Sequence, residues 1–347
     1  MIDSQIKALT AKDVRAAIHF ENPPRPPRLQ TLWHSQETLD YYGQEFVELQ
    51  ARYPDDICVV DIAIEYWNAP ADDPDYRWAF NGKKEDVSAA VDAKPVIEDF
   101  SELGDFIAQM PRTDRAEAFD RVARCRQENP DSYILECWGH YFHQRIACLR
   151  GIENLLYDFY DHPDELRRLM DAFLDFYSVW AKRAARAGAN GVWAGDDLGT
   201  QISLFMPPDT FRSLYKPVYK KFAEILHSNG LDFWLHTCGN VTEILDDLIE
   251  VGVDVIHPIQ VGAMDAEQVA SKYAGKVAFW VGMDVQNLIP FGSPEEIRRG
   301  VRKRAETFYR PAGGVIYGAG NSLVPNIPIE NIAAYAGSLF DFCQEKI

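Results

Sequence analysis

The sequence predicts an α/β protein built as a single (β/α)8 barrel, and three observations carry that prediction. Short β-branched or aromatic runs alternate with longer amphipathic stretches along the chain, the pattern of a parallel sheet covered by helices. Eight such runs occur within 347 residues, and one closed barrel explains that number best. Nearly every run ends in a polar residue, on the side where a barrel gathers its strand-to-helix loops.

The predicted strands span residues 29–34, 57–62, 133–138, 191–196, 232–237, 254–259, 277–282 and 314–319. Between them, residues 151–188 hold two helices divided near His162-Pro163, with Leu, Phe and Tyr recurring at three- and four-residue steps. Further helices are predicted over 208–229, 241–251, 264–273, 293–309 and 328–345. Ser293-Pro294-Glu295-Glu296 supplies a cap, a first-turn proline and two acids where a helix start favours them. Residues 63–130, after the second strand, are too many for a simple crossover. That segment is rich in aromatics and acids, among them Tyr66, Trp67, Asp72, Asp73, Tyr76, Trp78 and Phe80. It reads either as a lid over the C-terminal face or as a helical decoration, on a barrel that takes in residues 1–347.

Composition excludes several roles. A net charge of −18 argues against nucleic acid and against an anionic membrane surface. No apolar span is long enough to cross a bilayer, and the first residues lack the pattern of a signal peptide. Six cysteines without paired spacing read as reduced thiols of a cytoplasmic protein. With 47% hydrophobic residues the chain fills a large core.

The most informative stretch is Leu235-His236-Thr237-Cys238-Gly239-Asn240-Val241. Residues at i and i+2 of an extended segment share a face, so His236 and Cys238 are placed to grip one ion. An imidazole and a thiolate suit zinc, and catalysis needs three protein ligands and an open position. The flanking strands, about 4.8 Å away, end in Asp196-Asp197 and in His257, and either flank offers the third ligand. The competing reading makes Cys238 a small buried hydrophobe and His236 a hydrogen-bonded core residue. The other strand ends present His34, Asp61, Glu136, Gln260, Asp284, Gln286 and Asn321. Asp61, Asp196 and Asp284 are the candidate catalytic acids. Asp196 has a structural alternative, holding Thr200 or the turn at Gly199.

At these residues the chain resembles the uroporphyrinogen decarboxylase superfamily over nearly its whole length. The matching pieces are residues 193–201 (WAGDDLGTQ), 236–241 (HTCGNV), 252–256 (GVDVI), Gly282-Met283-Asp284 and 325–332 (PNIPIENI). The resemblance implies the same barrel. It also implies one of two activities, cofactor-free decarboxylation in haem biosynthesis or cobalamin-dependent methyl transfer of the methylcobalamin:coenzyme M kind. The decarboxylases carry an Ala-Gly-Arg segment after the first strand that binds substrate carboxylates. This chain has Trp33-His34-Ser35-Gln36-Glu37 there, while Arg25 and Arg28 precede the strand. Asp61 falls near the decarboxylases' pyrrole-binding aspartate, whereas Asp196-Asp197 is more similar to the methyltransferase branch. Those methyltransferases add a later Cys in a Gly-Cys-Gly setting, which here reads Gly318-Ala319-Gly320.

The resulting expectation is a zinc-assisted, corrinoid-dependent methyltransferase acting between a small methylated compound and a cobalamin on a partner protein. His236 and Cys238 hold the metal, with Asp197 or His257 completing the set. The alternatives are uroporphyrinogen decarboxylation, with Asp61 stabilising a pyrrole cation, and a barrel that binds a tetrapyrrole or small ligand without turnover. Likeness to the decarboxylases also implies a homodimer.

Overall fold

A computed structural model of the chain describes residues 8–30, 36–62, 95–110 and 117–347, the side chains of Glu117 and Ala118 excepted. The fold is α/β, with seven strands among the described residues: β1 (Ile57–Asp61), β2 (Tyr133–His140), β3 (Gly191–Gly195), β4 (Asp232–His236), β5 (Val255–His257), β6 (Ala278–Met283) and β7 (Val315–Ala319). They are ordered in the sheet as they are in the chain, which is compatible with a barrel. The chain's contacts divide it into two compact units, one of Met1–Val59, Asn129–Ile134 and Asp254–Ile347, the other of Val60–Glu128 and Leu135–Val253.

In the first unit β5 pairs with β6 and β6 with β7, both parallel. Of the predicted strand over 29–34 only Leu29 and Gln30 lie among the described residues. Beside them is one parallel bridge, Arg28 to Tyr317, and Leu29 N–H donates to the Tyr317 carbonyl at 2.9 Å. Pro26 and Pro27 have no N–H to extend that ladder backwards, and residues 31–35, His34 included, lie outside the described residues. Ahead of β1, the Arg25 guanidinium grips the Asp56 carboxylate with two hydrogen bonds, 2.8 and 2.6 Å long, and Arg28 Nε adds a third at 3.3 Å. Burial pushes the Asp56 carboxyl up, but Arg25 and Arg28 outweigh it and hold the pKa below the ordinary value. The helix Pro294–Phe308 starts as its residues predict, with a reciprocal capping box between Ser293 and Glu296 and a proline in the first turn.

In the second unit β2, β3 and β4 are parallel neighbours. His140 of β2 lies in register with Gly195 of β3, and Gly195 with His236 of β4. The predicted division near His162-Pro163 appears as two helices, Ile152–Asp161 and Pro163–Ala187. The longer one buries Leu166, Leu169, Met170, Phe173, Tyr177 and Trp180 at helical spacing and ends on left-handed Gly188. The predicted helix over 208–229 carries a π-helical turn at Phe211–Tyr215 before Lys216–Ser228. Of the segment 63–130, residues 63–94, with Asp72, Asp73 and the predicted aromatics, and 111–116 lie outside the described residues. Its described part holds a short helix, Leu103–Ala108, and a longer one, Glu117–Glu128. Arg150 tethers it by donating to the carbonyls of Ile97 and Glu98.

Candidate metal and active site

Three of the predicted residues meet at the C-terminal ends of β3 and β4, all in the second unit. Ligand atoms of Asp197, His236 and Cys238 lie within 4.8 Å of one another. Cys238 Sγ is 3.2 Å from His236 Nε2, which is 3.5 Å from Asp197 Oδ1. The two loops are stitched together residue by residue. Asp196 N–H donates to the His236 carbonyl at 2.8 Å, Cys238 N–H to Asp197 Oδ1 at 2.8 Å, and Leu198 N–H to Thr237 Oγ1 at 3.1 Å. Gly239 turns the backbone at φ +85°, and a Cβ there would stand 2.2 Å from the Gly199 carbonyl. A glycine is therefore required for the loops to come this close.

The donor set fits zinc. Ligands at tetrahedral angles and ordinary zinc bond lengths are about 3.4–3.6 Å apart, close to the two separations found here. Burial pushes the His236 imidazole below its ordinary pKa, against the opposing pull of Asp197, and so favours the neutral form that ligates. The Asp197 side chain is 31% exposed, so the group is open on one side.

The other candidates are placed differently. His257 is in the first unit, where its Nε2–H donates to the Ala319 carbonyl at 2.9 Å and its ring lies 4.0 Å from that of Trp280. A carbonyl only accepts, so that nitrogen carries the proton and is not a free ligand atom. His257 is not part of the three-residue group. Asp196 is wholly buried and points away from that group. Its carboxylate accepts from the N–H groups of Phe142 (3.1 Å) and Gln144 (2.6 Å) at the start of the helix His143–Arg150, and from the Tyr219 hydroxyl. Burial pushes its pKa up to about 6 against these donors. It thus sits at a helix start with three donors on its carboxylate, and it does not hold Thr200. Asp284, in the first unit, accepts from the N–H groups of Gln286 and Asn287, both at 2.9 Å, and so shapes its own turn. Asp61 ends β1 with an exposed side chain.

Glu136 is not a strand-end residue, because β2 runs on to His140. It is fully buried on the helix-facing side with Trp138, whose Nε1–H donates to Glu136 Oε2 at 2.7 Å. Sequence reasoning missed His140, Gln144 and Tyr219. The available signal was the polar run His143-Gln144-Arg145 just beyond β2, a strand-to-helix position like the others.

What fold and site define together is an α/β protein of parallel strands with a candidate metal-ligand group at its strand ends. The model of the family uroporphyrinogen decarboxylase (URO-D) matches residues 146–339, more than half of the chain. This protein belongs to the uroporphyrinogen decarboxylase family. Its fold is similar to that of a methyltransferase from Methanosarcina mazei, at 17% identity and a TM-score of 0.66 over 96% of this chain and 99% of that one. A B12-independent methionine synthase from Shewanella sp. W3-18-1 aligns over 65% of each chain, at 14% identity and a TM-score of 0.47. No curated protein matches the sequence. Among the described residues no helix is long and apolar enough to cross a membrane.

Proposed function

We propose that this protein is a methyltransferase, moving a methyl group between a small methylated compound and a corrinoid carried by a partner protein, with zinc held by Asp197, His236 and Cys238. The observation that carries the reading is the meeting of those three donor atoms within 4.8 Å of one another on two adjacent strand ends. Likeness in fold to a methyltransferase supports it. A bound zinc supplies Lewis acidity, which depresses the pKa of a thiol acceptor or polarises a donor's heteroatom.

The protein's own groups prepare that chemistry. His236 is kept neutral by burial, Cys238 is held by its own N–H on Asp197, and Trp193 walls the imidazole at 5.8 Å between ring centres. Arg25 and Arg28, both buried on Asp56, are spent in the first unit and do not serve a polyanionic substrate. That speaks against the second reading, uroporphyrinogen decarboxylation, which the exposed Asp61 at the end of β1 favours.

The test is metal analysis of the purified protein together with demethylation of methylcobalamin by a small thiol, followed by cobalamin absorbance. One zinc per chain and a thiol-dependent spectral change that Cys238→Ala abolishes are expected. Absence of metal, with brisk turnover of uroporphyrinogen, overturns the proposal in favour of the decarboxylase.

A further inference from the structure

We infer that Gln144 is a positioning residue that sets Asp197 as the third ligand of the metal group, and that Gly195 is the gap that lets it do so. The inference rests on the metal reading above and adds a residue to it. Gln144 touches Asp197 at two points. Its Nε2 is 3.5 Å from Asp197 Oδ2, and its Oε1 is 3.4 Å from the Asp197 backbone N–H. These contacts are long, but they use both ends of one amide on one residue. Turning the amide over would set oxygen against carboxylate and N–H against N–H, so only one orientation satisfies both contacts. With Oδ1 held by the Cys238 N–H at 2.8 Å and Oδ2 facing Gln144, the carboxylate is gripped at both oxygens.

The support for Gln144 is itself built. Its backbone N–H donates to Asp196 Oδ1 at 2.6 Å, and Asp196 is in turn held by the Tyr219 hydroxyl. The consecutive acids thus divide the work. Asp196 points inward and roots the helix His143–Arg150, while Asp197 turns to the metal group. Gly195 completes the arrangement. It lies in register between His140 and His236, so these side chains flank a bare strand position. A Cβ on Gly195 would stand 3.2 Å from Gln144 Oε1 and 3.3 Å from His140 Nδ1. A side chain at 195 would therefore press on the amide, which would have to give by a few tenths of an ångström. Partners that orient a ligating carboxylate typically change metal affinity by about 10–100-fold when removed.

The experiment measures zinc affinity by competition with a chromophoric chelator, and the absorption spectrum of the cobalt(II) form, for the intact chain and its variants. Gln144→Leu is expected to weaken zinc by about 10–100-fold. It should keep the thiolate-to-cobalt charge-transfer band of Cys238 and alter the ligand-field bands in the same way as Asp197→Asn. Adding Gln144→Leu to Asp197→Asn should cost less than about twofold more, because the two residues act as one unit. Gly195→Ala, which leaves the amide in place but crowds it, should weaken zinc severalfold and so serves if Gln144→Leu folds poorly. Wild-type affinity in both Gln144→Leu and Gly195→Ala, or full additivity of Gln144→Leu with Asp197→Asn, overturns the inference alone. A wild-type chain that binds no zinc overturns the metal reading and this inference with it.

Discussion

The stability difference between Glu136→Gln and the wild type should change with pH, and the size of that change follows from the structure. Glu136 is fully buried, with Trp138 Nε1–H on Oε2 and no hydrogen-bond partner for Oε1 among the described residues. Burial is the larger influence and pushes its pKa from 4.5 up to about 8, against the Trp138 hydrogen bond and the Arg183 charge. A carboxyl that binds its proton more tightly in the fold than in the unfolded chain stabilises the fold fully below pH 4.5. That contribution is lost as pH rises toward 8. At about 1.36 kcal/mol per unit, the loss between pH 5 and pH 8 comes to about 3.5 kcal/mol. Glutamine is neutral throughout and keeps the acceptor for Trp138. Its unpaired amide nitrogen costs about 1–3 kcal/mol equally at every pH. The measurement is the unfolding free energy in urea for wild type and Glu136→Gln at pH 5, 6, 7 and 8. Asp196 changes stability in the same sense, with a pKa raised to about 6, whereas His140 and His143, lowered to about 3 and about 4, act in the opposite sense. All three are shared by both proteins and cancel in the difference. That difference should move in favour of glutamine by about 3–4 kcal/mol over the range. A difference that stays constant with pH would refute the reasoning.

Other consequences can be checked with less labour. Cys238→Ala should lose most of the zinc affinity, whereas Cys343→Ala, buried in the helix Ile329–Gln344, should leave zinc content unchanged by metal analysis. Gly239→Ala places a Cβ 2.2 Å from the Gly199 carbonyl at a positive φ, so it should lower the melting temperature and zinc affinity together. Tyr219→Phe removes one donor from the buried Asp196 carboxylate. It should destabilise the protein by about 1.5–3 kcal/mol in urea unfolding, the scale of a hydrogen bond to a charged group.

Much of this protein is legible in one dimension, and the reason is periodicity. Strands β2 to β7 fall within a few residues of the predicted runs, since a parallel sheet buried on both faces demands continuous apolar stretches between helices. The pairing of His236 with Cys238 is likewise a local matter, because an i, i+2 relation on an extended chain fixes a shared face without reference to anything distant. The third member of the group was not local. Asp197 and His257 were equivalent from the sequence, both at strand ends flanking β4, and only the stitching of the 196–200 loop onto the 236–240 loop brings Asp197 to the imidazole. The roles of the neighbouring acids were hidden for the same reason. Nothing in Asp196-Asp197 says which carboxylate turns inward to a helix start, and nothing in Tyr-Ile-Leu-Glu-Cys-Trp says that Glu136 faces a layer of aromatic helices. Side-chain direction at a strand's end depends on where the strand stops, and β2 stops at His140 rather than Trp138. The strands β1 to β7 and the shared face of His236 and Cys238 thus follow from local pattern. The tertiary structure decided which charged groups join that pair and which are consumed in holding it, because burial and hydrogen bonding between distant segments set the orientation and protonation of each.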